Sequence, residues 1–218
     1  MSTLNFVVAS FPLALYFIAL AILHSGKRPF VVGGKRDFFA LALATSGLIL
    51  IGPGQFAPTL NAVYVWRSSV WLWAGALDLC LALLVALKLR PRLVVYNSVL
   101  DSFRKTITSA ALTLDDEARW SGDAMNFPGL GVQFYVEETR AFRVVSVVGI
   151  GRDFSADGWK RFASTLNLEI KRQDPARPAL ATRFLFALLG LGLLAADSAC
   201  FILRFDEIRE AASAYLNM

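Results

Sequence analysis

The chain has 218 residues, a formal net charge of +5 and 56% hydrophobic residues, with a mean hydropathy of +0.53. This apolar content is too high for a soluble globular domain and indicates a membrane protein. Surplus Lys and Arg are typical of the cytoplasmic loops of membrane proteins, so the positive charge does not indicate nucleic-acid binding. Cys80 and Cys200 lie in apolar runs and belong to no CxxC or Cys/His cluster, so they say nothing about redox compartment.

Four apolar windows are long enough to cross the roughly 30 Å hydrocarbon core of a bilayer as helices. They are Leu4 to Leu23, Phe38 to Ala57, Val70 to Leu89 and Phe184 to Leu203. The first has no basic segment before it, so it is interpreted as a span and not as a cleaved signal peptide. The second contains Gly52-Pro53-Gly54, which ends regular helix and leaves the outer end of that span undefined. The sequence therefore predicts four transmembrane helices.

Basic residues flank the predicted spans unevenly. The loop after the first span carries Lys27, Arg28, Lys35 and Arg36, whereas the loop between the second and third spans carries only Arg67. Because Lys and Arg are retained on the cytoplasmic side, we expect a multi-pass protein of the cell membrane with both termini outside and residues 91–178 in the cytoplasm. The four basic residues of the first loop are also candidates for contact with anionic lipid headgroups.

Residues 91–178, between the third and fourth spans, have the composition of a domain that folds in water. They contain 12 Lys/Arg against 11 Asp/Glu, with alternating and amphipathic patterns. Leu93 to Tyr96 predicts a strand, and a helix follows, capped by Asn97 or Ser98 with Asp101 completing a capping box. The second half of the domain then alternates between strand signals and turns.

A hairpin is predicted around Gly122-Asp123. Gly131 to Glu137 alternates as a half-buried strand, Phe142 to Val148 is a more apolar strand, and Ser155 caps a second helix. The predicted order is βαβββα, with the helices on one antiparallel sheet. The predicted fold class is thus an α-helical membrane protein with an inserted soluble α+β domain; residues 179–218 hold the fourth span and a short tail.

Asp78 and Asp197 are the most informative candidates for a site, because an acidic residue inside a bilayer is costly and usually functional. At 1.5 Å per helical residue, they lie about 12 Å and about 9 Å from the outer ends of their spans. If those spans are neighbours, the two carboxyl groups would share a proton or a cation. Alternatively, each carboxyl group hydrogen-bonds to neighbouring helices and only stabilises their packing.

Other motifs carry no specific chemistry. His24 is the one histidine, so we expect no metal site and no cofactor. Gly149-Ile150-Gly151 is interpreted as a turn, since Phe154 occupies the position of the third glycine in a dinucleotide fingerprint. Gly192, Ala196 and Cys200 form a stripe of small residues that predicts a close helix contact, within the chain or between copies.

Two functions are favoured by the sequence, while a third, a membrane-embedded enzyme, is supported only by scattered polar groups. The first is a non-enzymatic anchor or interaction protein, whose cytoplasmic α+β domain binds a partner or ligand while the spans contact the lipid bilayer. Its partner would be another protein or a second copy of the chain. The alternative is a small ion- or proton-coupled transport subunit that uses Asp78 and Asp197. The two differ in whether these carboxyl groups face one polar cavity.

Overall fold

The structure is a computed structural model that describes residues 3–26, 28–51, 69–151, 154–172, 180–207, 209 and 213. The chain divides into two compact units. The helical unit comprises Met1–Leu20, Phe38–Lys88 and Leu185–Met218, and the sheet unit comprises Ala21–Asp37 and Leu89–Phe184. In chain order the elements are α1 (Thr3–Leu23), β1 (Phe30–Gly33), α2 (Gly34–Ile51), α3 (Ser69–Lys88), β2 (Arg92–Tyr96), α4 (Leu100–Leu114), β3 (Arg119–Ser121), β4 (Ala124–Phe127), β5 (Val132–Thr139), β6 (Val144–Ile150), α5 (Ala156–Arg172) and α6 (Leu180–Leu203).

The prediction of four transmembrane helices is wrong. Among the described residues, two helices are long and apolar enough to cross a membrane, Asn5–Leu23 of α1 and Leu180–Leu203, which is α6. These correspond to the first and fourth predicted windows. The other two windows fall on α2 and α3, which are not among these two helices.

The second window, Phe38 to Ala57, overlaps α2 only as far as Ile51, and residues 52–57 lie outside the described part of the chain. From Phe38 to Ile51 a helix extends about 21 Å, which is shorter than the roughly 30 Å hydrocarbon core. The third window falls on α3, which carries Asp78 near its middle and Lys88 in its last turn.

Glycines allow α1 to approach its neighbours closely within the helical unit. A Cβ added at Gly190 of α6 would lie 2.7 Å from Cγ1 of Ile18, and one added at Gly47 of α2 would lie 2.3 Å from the carbonyl oxygen of Val8. Contacts this short leave no room for a side chain. The predicted stripe begins at Gly192, where an added Cβ would meet nothing within 4 Å. In α6, the close approach to α1 is therefore made at Gly190.

The sheet unit contains a six-stranded antiparallel sheet in the order β1-β2-β6-β5-β4-β3. Helices α4 and α5 pack against one face and bury their apolar side chains with those of the strands. At the centre, the rings of Phe134 in β5 and Phe162 in α5 stack with centroids 4.8 Å apart. The predicted α+β arrangement of helices on an antiparallel sheet is therefore present.

The predicted order of strands and helices along the chain, βαβββα, is wrong in two respects. The hairpin around Gly122 contributes two strands, so the order between Arg92 and Arg172 is βαββββα. A sixth strand, β1, precedes that range and pairs with β2 from Phe30 opposite Tyr96 to Gly33 opposite Leu93. This strand has four residues, lies between turn-forming residues and stands in a basic loop, so its sequence pattern is too short to distinguish it from the loop.

Helix α4 begins without the capping box predicted with Asp101. Its N-cap is Val99, which makes no side-chain cap hydrogen bond. Instead, Glu138 at the end of β5 accepts hydrogen bonds from the backbone N–H of Leu100 at 3.1 Å and from Nε of Arg140 at 2.9 Å. The N–H of Leu100 and the guanidinium of Arg140 hold the pKa of Glu138 below its usual value, against the opposing effect of burial.

Replacing Glu138 with Gln should lower the free energy of unfolding by roughly 0.5 to 1 kcal/mol at neutral pH, because the negative charge at the helix N-terminus is lost. Since the folded-state pKa is lowered, the stabilisation is present above the unfolded-state value of about 4.3 and is lost as the pH falls through the folded-state value. The difference between variant and wild type should therefore shrink as the pH falls below about 4.

Urea unfolding of the full chain in detergent, over a series from neutral to acidic pH, measures this difference. Glu117→Gln removes the same charge from an exposed site and should follow the wild type throughout. If the free energy of unfolding of Glu138→Gln lay below that of the wild type by the same amount at every pH, the interaction between the charge and the helix would be contradicted.

Candidate functional site

Asp197 lies on α6 and is buried, with 5% of its surface exposed. Its Oδ1 accepts a hydrogen bond of 2.5 Å from the hydroxyl of Ser10 on α1. The Ser10 hydroxyl also lies 2.6 Å from the carbonyl oxygen of Phe6, one turn earlier in the same helix. A buried polar contact therefore joins the two apolar helices.

The two short contacts of Ser10 restrict where protons can lie. A serine hydroxyl carries one proton and donates it to one acceptor at a time. The carboxyl oxygen of Asp197 and the carbonyl oxygen of Phe6 therefore compete for the proton of Ser10.

The second carboxyl oxygen of Asp197, Oδ2, is buried and has no hydrogen-bond partner among the described residues. An acceptor buried without a donor costs roughly 1 to 3 kcal/mol. Asp197 borders a groove of about 350 Å³ between α1 and α6. The remaining lining residues, five of them apolar, are Val7, Phe11, Leu194, Ser198, Phe201 and Ile202. The site is therefore an apolar groove beside a carboxyl group whose second oxygen is sealed beneath the surface.

Asp78 lies on α3 and is half-buried between exposed leucines at positions 77 and 79. It is not among the described residues that line the groove beside Asp197. The carboxyl group of Asp197 meets Ser10 of α1, a residue that the sequence did not single out. Sharing of a proton or a cation between Asp78 and Asp197 stays a prediction.

Three of the four basic residues predicted to contact anionic lipid are described, and all three are exposed. Arg28 precedes β1, and Lys35 and Arg36 lie in the first turn of α2. Lys27 lies outside the described residues. Exposure leaves the three side chains accessible to a headgroup, and the lipid contact itself stays a prediction.

His24 takes part in a buried polar cluster of the sheet unit. Its Nε2 lies 3.0 Å from the carbonyl oxygen of Phe142, and its ring meets the ring of Tyr96 edge-on with centroids 5.7 Å apart. The hydroxyl of Tyr96 donates a short hydrogen bond to Asp37. The described part of the chain contains no group of three or more His, Cys, Asp or Glu side chains that could hold a metal ion. The cluster therefore connects chain segments and offers no ligand set.

The sheet face opposite α4 and α5 is buried over one half and exposed over the other. On β2 and β6, Val94 and Ser146 are each 3% exposed. On β3, β4 and β5, cross-strand partners place polar side chains side by side on the same face. We call this surface the open-sheet patch, and it consists of Arg119, Ser121, Asn126, Gln133, Tyr135 and Glu137.

Tyr135 is the half-buried aromatic residue of the open-sheet patch. A hydrogen bond with the carboxylate of Glu137 raises the pKa of Tyr135 above its usual value, with further contributions from burial and from the negative charge. The phenol therefore stays protonated at neutral pH and donates its hydrogen bond to Glu137. The patch combines hydrogen-bond donors, acceptors and both signs of charge on one sheet face.

Comparison of the chain with protein-family models, with curated proteins and with solved structures finds no match in any of the three. Any assignment of function therefore depends on the geometry of the two units.

Removing the Ser10 hydroxyl should be costly only while Asp197 is present. Ser10→Ala leaves Oδ1 of Asp197 buried without its donor, so we expect a loss of about 1 to 3 kcal/mol in unfolding free energy. In an Asp197→Leu background the same change should cost much less, which is measurable as a coupling energy in a double-mutant cycle in detergent.

Ser46→Ala is the matched control, because Ser46 donates to Leu43 within its own helix. Ser46→Ala should lower the unfolding free energy by the same amount in the wild type and in the Asp197→Leu background. Equal costs for Ser10→Ala in both backgrounds would show that the two side chains do not stabilise each other.

Proposed function

We propose that this chain is a multi-pass membrane protein in which α1 and α6 anchor a cytoplasmic α+β domain that binds a protein partner. The observation that carries the membrane assignment is the exposure of apolar side chains on these helices. On α6, Phe184, Leu188, Ile202 and Leu203 are 67%, 72%, 75% and 81% exposed. Only 17% of its apolar window is buried, whereas the core helix of a soluble protein would be largely covered. A bilayer removes this apolar surface from water.

The basic residues that surround the sheet unit support a cytoplasmic location. Arg28, Lys35, Arg36, Arg90 and Arg92 are all exposed and lie close in sequence to the ends of apolar helices. Basic residues at such positions are retained on the cytoplasmic side, so α1 and α6 would cross in opposite directions and leave both termini outside. The same side chains are suited to anionic headgroups of the cytoplasmic leaflet.

The open-sheet patch supports a binding role for the domain. The apolar core beneath α4 and α5 is complete without the patch, so its exposed polar side chains are not needed to close the core. Tyr and Arg are enriched in the contact regions of protein complexes, and the patch carries Tyr135 and Arg119. A folded protein or an extended peptide with matching hydrogen-bonding groups is the partner that this surface fits.

An ion- or proton-coupled transport subunit is the second candidate function. It is supported by the burial of Asp197 with an unpartnered oxygen inside an apolar helix. The two candidates differ in their need for Asp78, because shared titration requires both carboxyl groups and partner binding by the sheet unit requires neither.

Photo-crosslinking in the membrane tests the proposed function. A photo-crosslinking amino acid placed at Gln133 should capture a discrete protein partner in cells that express the chain, and the product should remain with the membrane after alkaline extraction. The same amino acid at Ser164, exposed on α5, is the matched control and should give no product. Arg119→Glu should abolish the product, because it reverses one charge of the patch without disturbing the core.

Identical products from both positions would contradict a specific role for the patch. Release of the chain by alkaline extraction would contradict the membrane anchor, so the two parts of the proposal fail separately.

A further inference from the structure

We propose that the protein partner of the open-sheet patch contributes an extended acidic segment, in which two carboxylates about six residues apart bind Arg92 and Arg119. This chemistry of the partner rests on the proposed function, in which the patch binds a protein, and deepens it. Arg92 is the first residue of β2, Arg119 is the first residue of β3, and both are exposed. Both side chains are therefore accessible to another molecule.

Arg92 and Arg119 lie on the same face of the sheet. Cross-strand partners place Arg92 opposite Val148 of β6, and Val148 opposite Tyr135, which belongs to the patch. Because the side chains of directly opposite residues share a face, Arg92 borders the patch on the side of β2. Arg119 ends the patch on β3, which is the edge strand of the sheet. A positive charge therefore stands on each side of the patch.

Neither arginine is neutralised by an acidic residue within the described part of the chain. The ion pairs found there join other residues. Arg92 is held by a neutral group instead, because its Nη2 donates a hydrogen bond of 2.7 Å to the hydroxyl of Ser146, which is 3% exposed. This contact positions the guanidinium and leaves its charge and its other donors for a carboxylate.

The acidic residue of the patch is engaged by its neighbour on the same strand. Glu137 accepts the hydrogen bond of Tyr135, and this bond, burial and the charge of Glu137 raise the pKa of the phenol. The positive charges of Arg90 and Arg92 oppose the rise, so both are close enough to act on Tyr135. On the patch and its border, Arg90, Arg92 and Arg119 thus stand against one glutamate. A surface with this surplus of positive charge favours an anionic partner.

The separation of the two arginines sets the spacing of the acidic residues. Four steps between neighbouring strands, each about 4.8 Å, separate β2 from β3, so Arg92 and Arg119 start about 19 Å apart. An extended chain advances about 3.3 Å per residue, so about six residues cover this distance, and an even number keeps both acidic side chains on one side. Tyr135, Gln133 and Asn126 lie between the two charges and offer a ring and amide groups to the middle of the segment.

A peptide fits this surface better than an anionic lipid headgroup does. A headgroup is compact, so it meets one arginine and does not reach the other across about 19 Å. The amide groups between Arg92 and Arg119 also match the backbone and polar side chains of a peptide. An extended acidic segment uses the whole width of the patch.

The test measures the fluorescence anisotropy of labelled seven-residue peptides mixed with the full-length chain in nanodiscs of zwitterionic lipid. The probe has Glu at its first and last positions and neutral Ser, Asn and Tyr residues between them. It should bind saturably and about fivefold more tightly than a peptide with Gln at both ends. It should show the same advantage over a peptide whose two Glu residues are adjacent, because that peptide meets one arginine at a time.

Charge-removing variants locate the binding site of the probe. Arg92→Gln and Arg119→Gln should each weaken binding of the probe about threefold, because each removes one exposed ion pair. Neither variant should change the binding of the Gln-ended peptide. Arg161→Gln is the matched control, since it removes an exposed charge of α5, and it should leave both affinities unchanged. All three side chains are exposed, so the variants should fold as the wild type does.

Equal affinities for the three peptides, or the same loss of binding in Arg161→Gln as in Arg92→Gln, would overturn the inference. Displacement of the probe by an equal concentration of glycerophosphoserine, a soluble headgroup, would also overturn it, because a headgroup would then be the preferred occupant. The proposed function fails separately, if photo-crosslinking at Gln133 captures no partner. A partner captured at Gln133, together with equal affinities for the three peptides, would contradict the acidic segment alone.

Discussion

The arrangement of the sheet unit depends on the antiparallel pairing of β1 with β2. Four consecutive residue pairs, from Phe30–Tyr96 to Gly33–Leu93, add the segment after α1 to a sheet whose other strands all follow α3. Without this pairing, β2 would present an open edge of unpaired N–H and C=O groups. The next residue, Gly34, packs so closely on β2 that an added Cβ would lie 2.7 Å from Cβ of Arg92. Helix α2 can therefore begin directly after the strand.

The first segment to enter the sheet unit and the last segment to leave it meet at one turn. His24, shortly after α1, hydrogen-bonds to the carbonyl oxygen of Phe142, and Thr182, at the start of α6, donates to the carbonyl oxygen of Ala141. Asn97, held at a φ of 58°, donates to the carbonyl oxygens of Leu23 and Gly26. These hydrogen bonds hold both segments against residues 141–142.

The sequence predicts those parts of this structure that depend on local patterns. The alternation of apolar and polar residues identified β5, and helical periodicity identified α4. The rarity of acidic residues in apolar runs drew attention to Asp197. Contacts between distant segments left no such signal: Glu138 caps a helix that begins 38 residues earlier, and Ser10 meets Asp197 across 187 residues. A serine in an apolar helix is too common to be noticed alone. The spans predicted over α2 and α3 were wrong, since among the described residues only α1 and α6 are long and apolar enough to cross a membrane.

The position of β1 at the edge of the sheet also has a consequence for folding. During synthesis this strand leaves the ribosome well before its partner, because about 60 residues separate Gly33 from Leu93 along the chain, and loop closure over such a length slows the pairing. An edge strand docks onto one neighbour only, so the five strands from β2 to β6 can assemble with their helices first. The earliest strand in the sequence thus completes the sheet by covering the edge of β2.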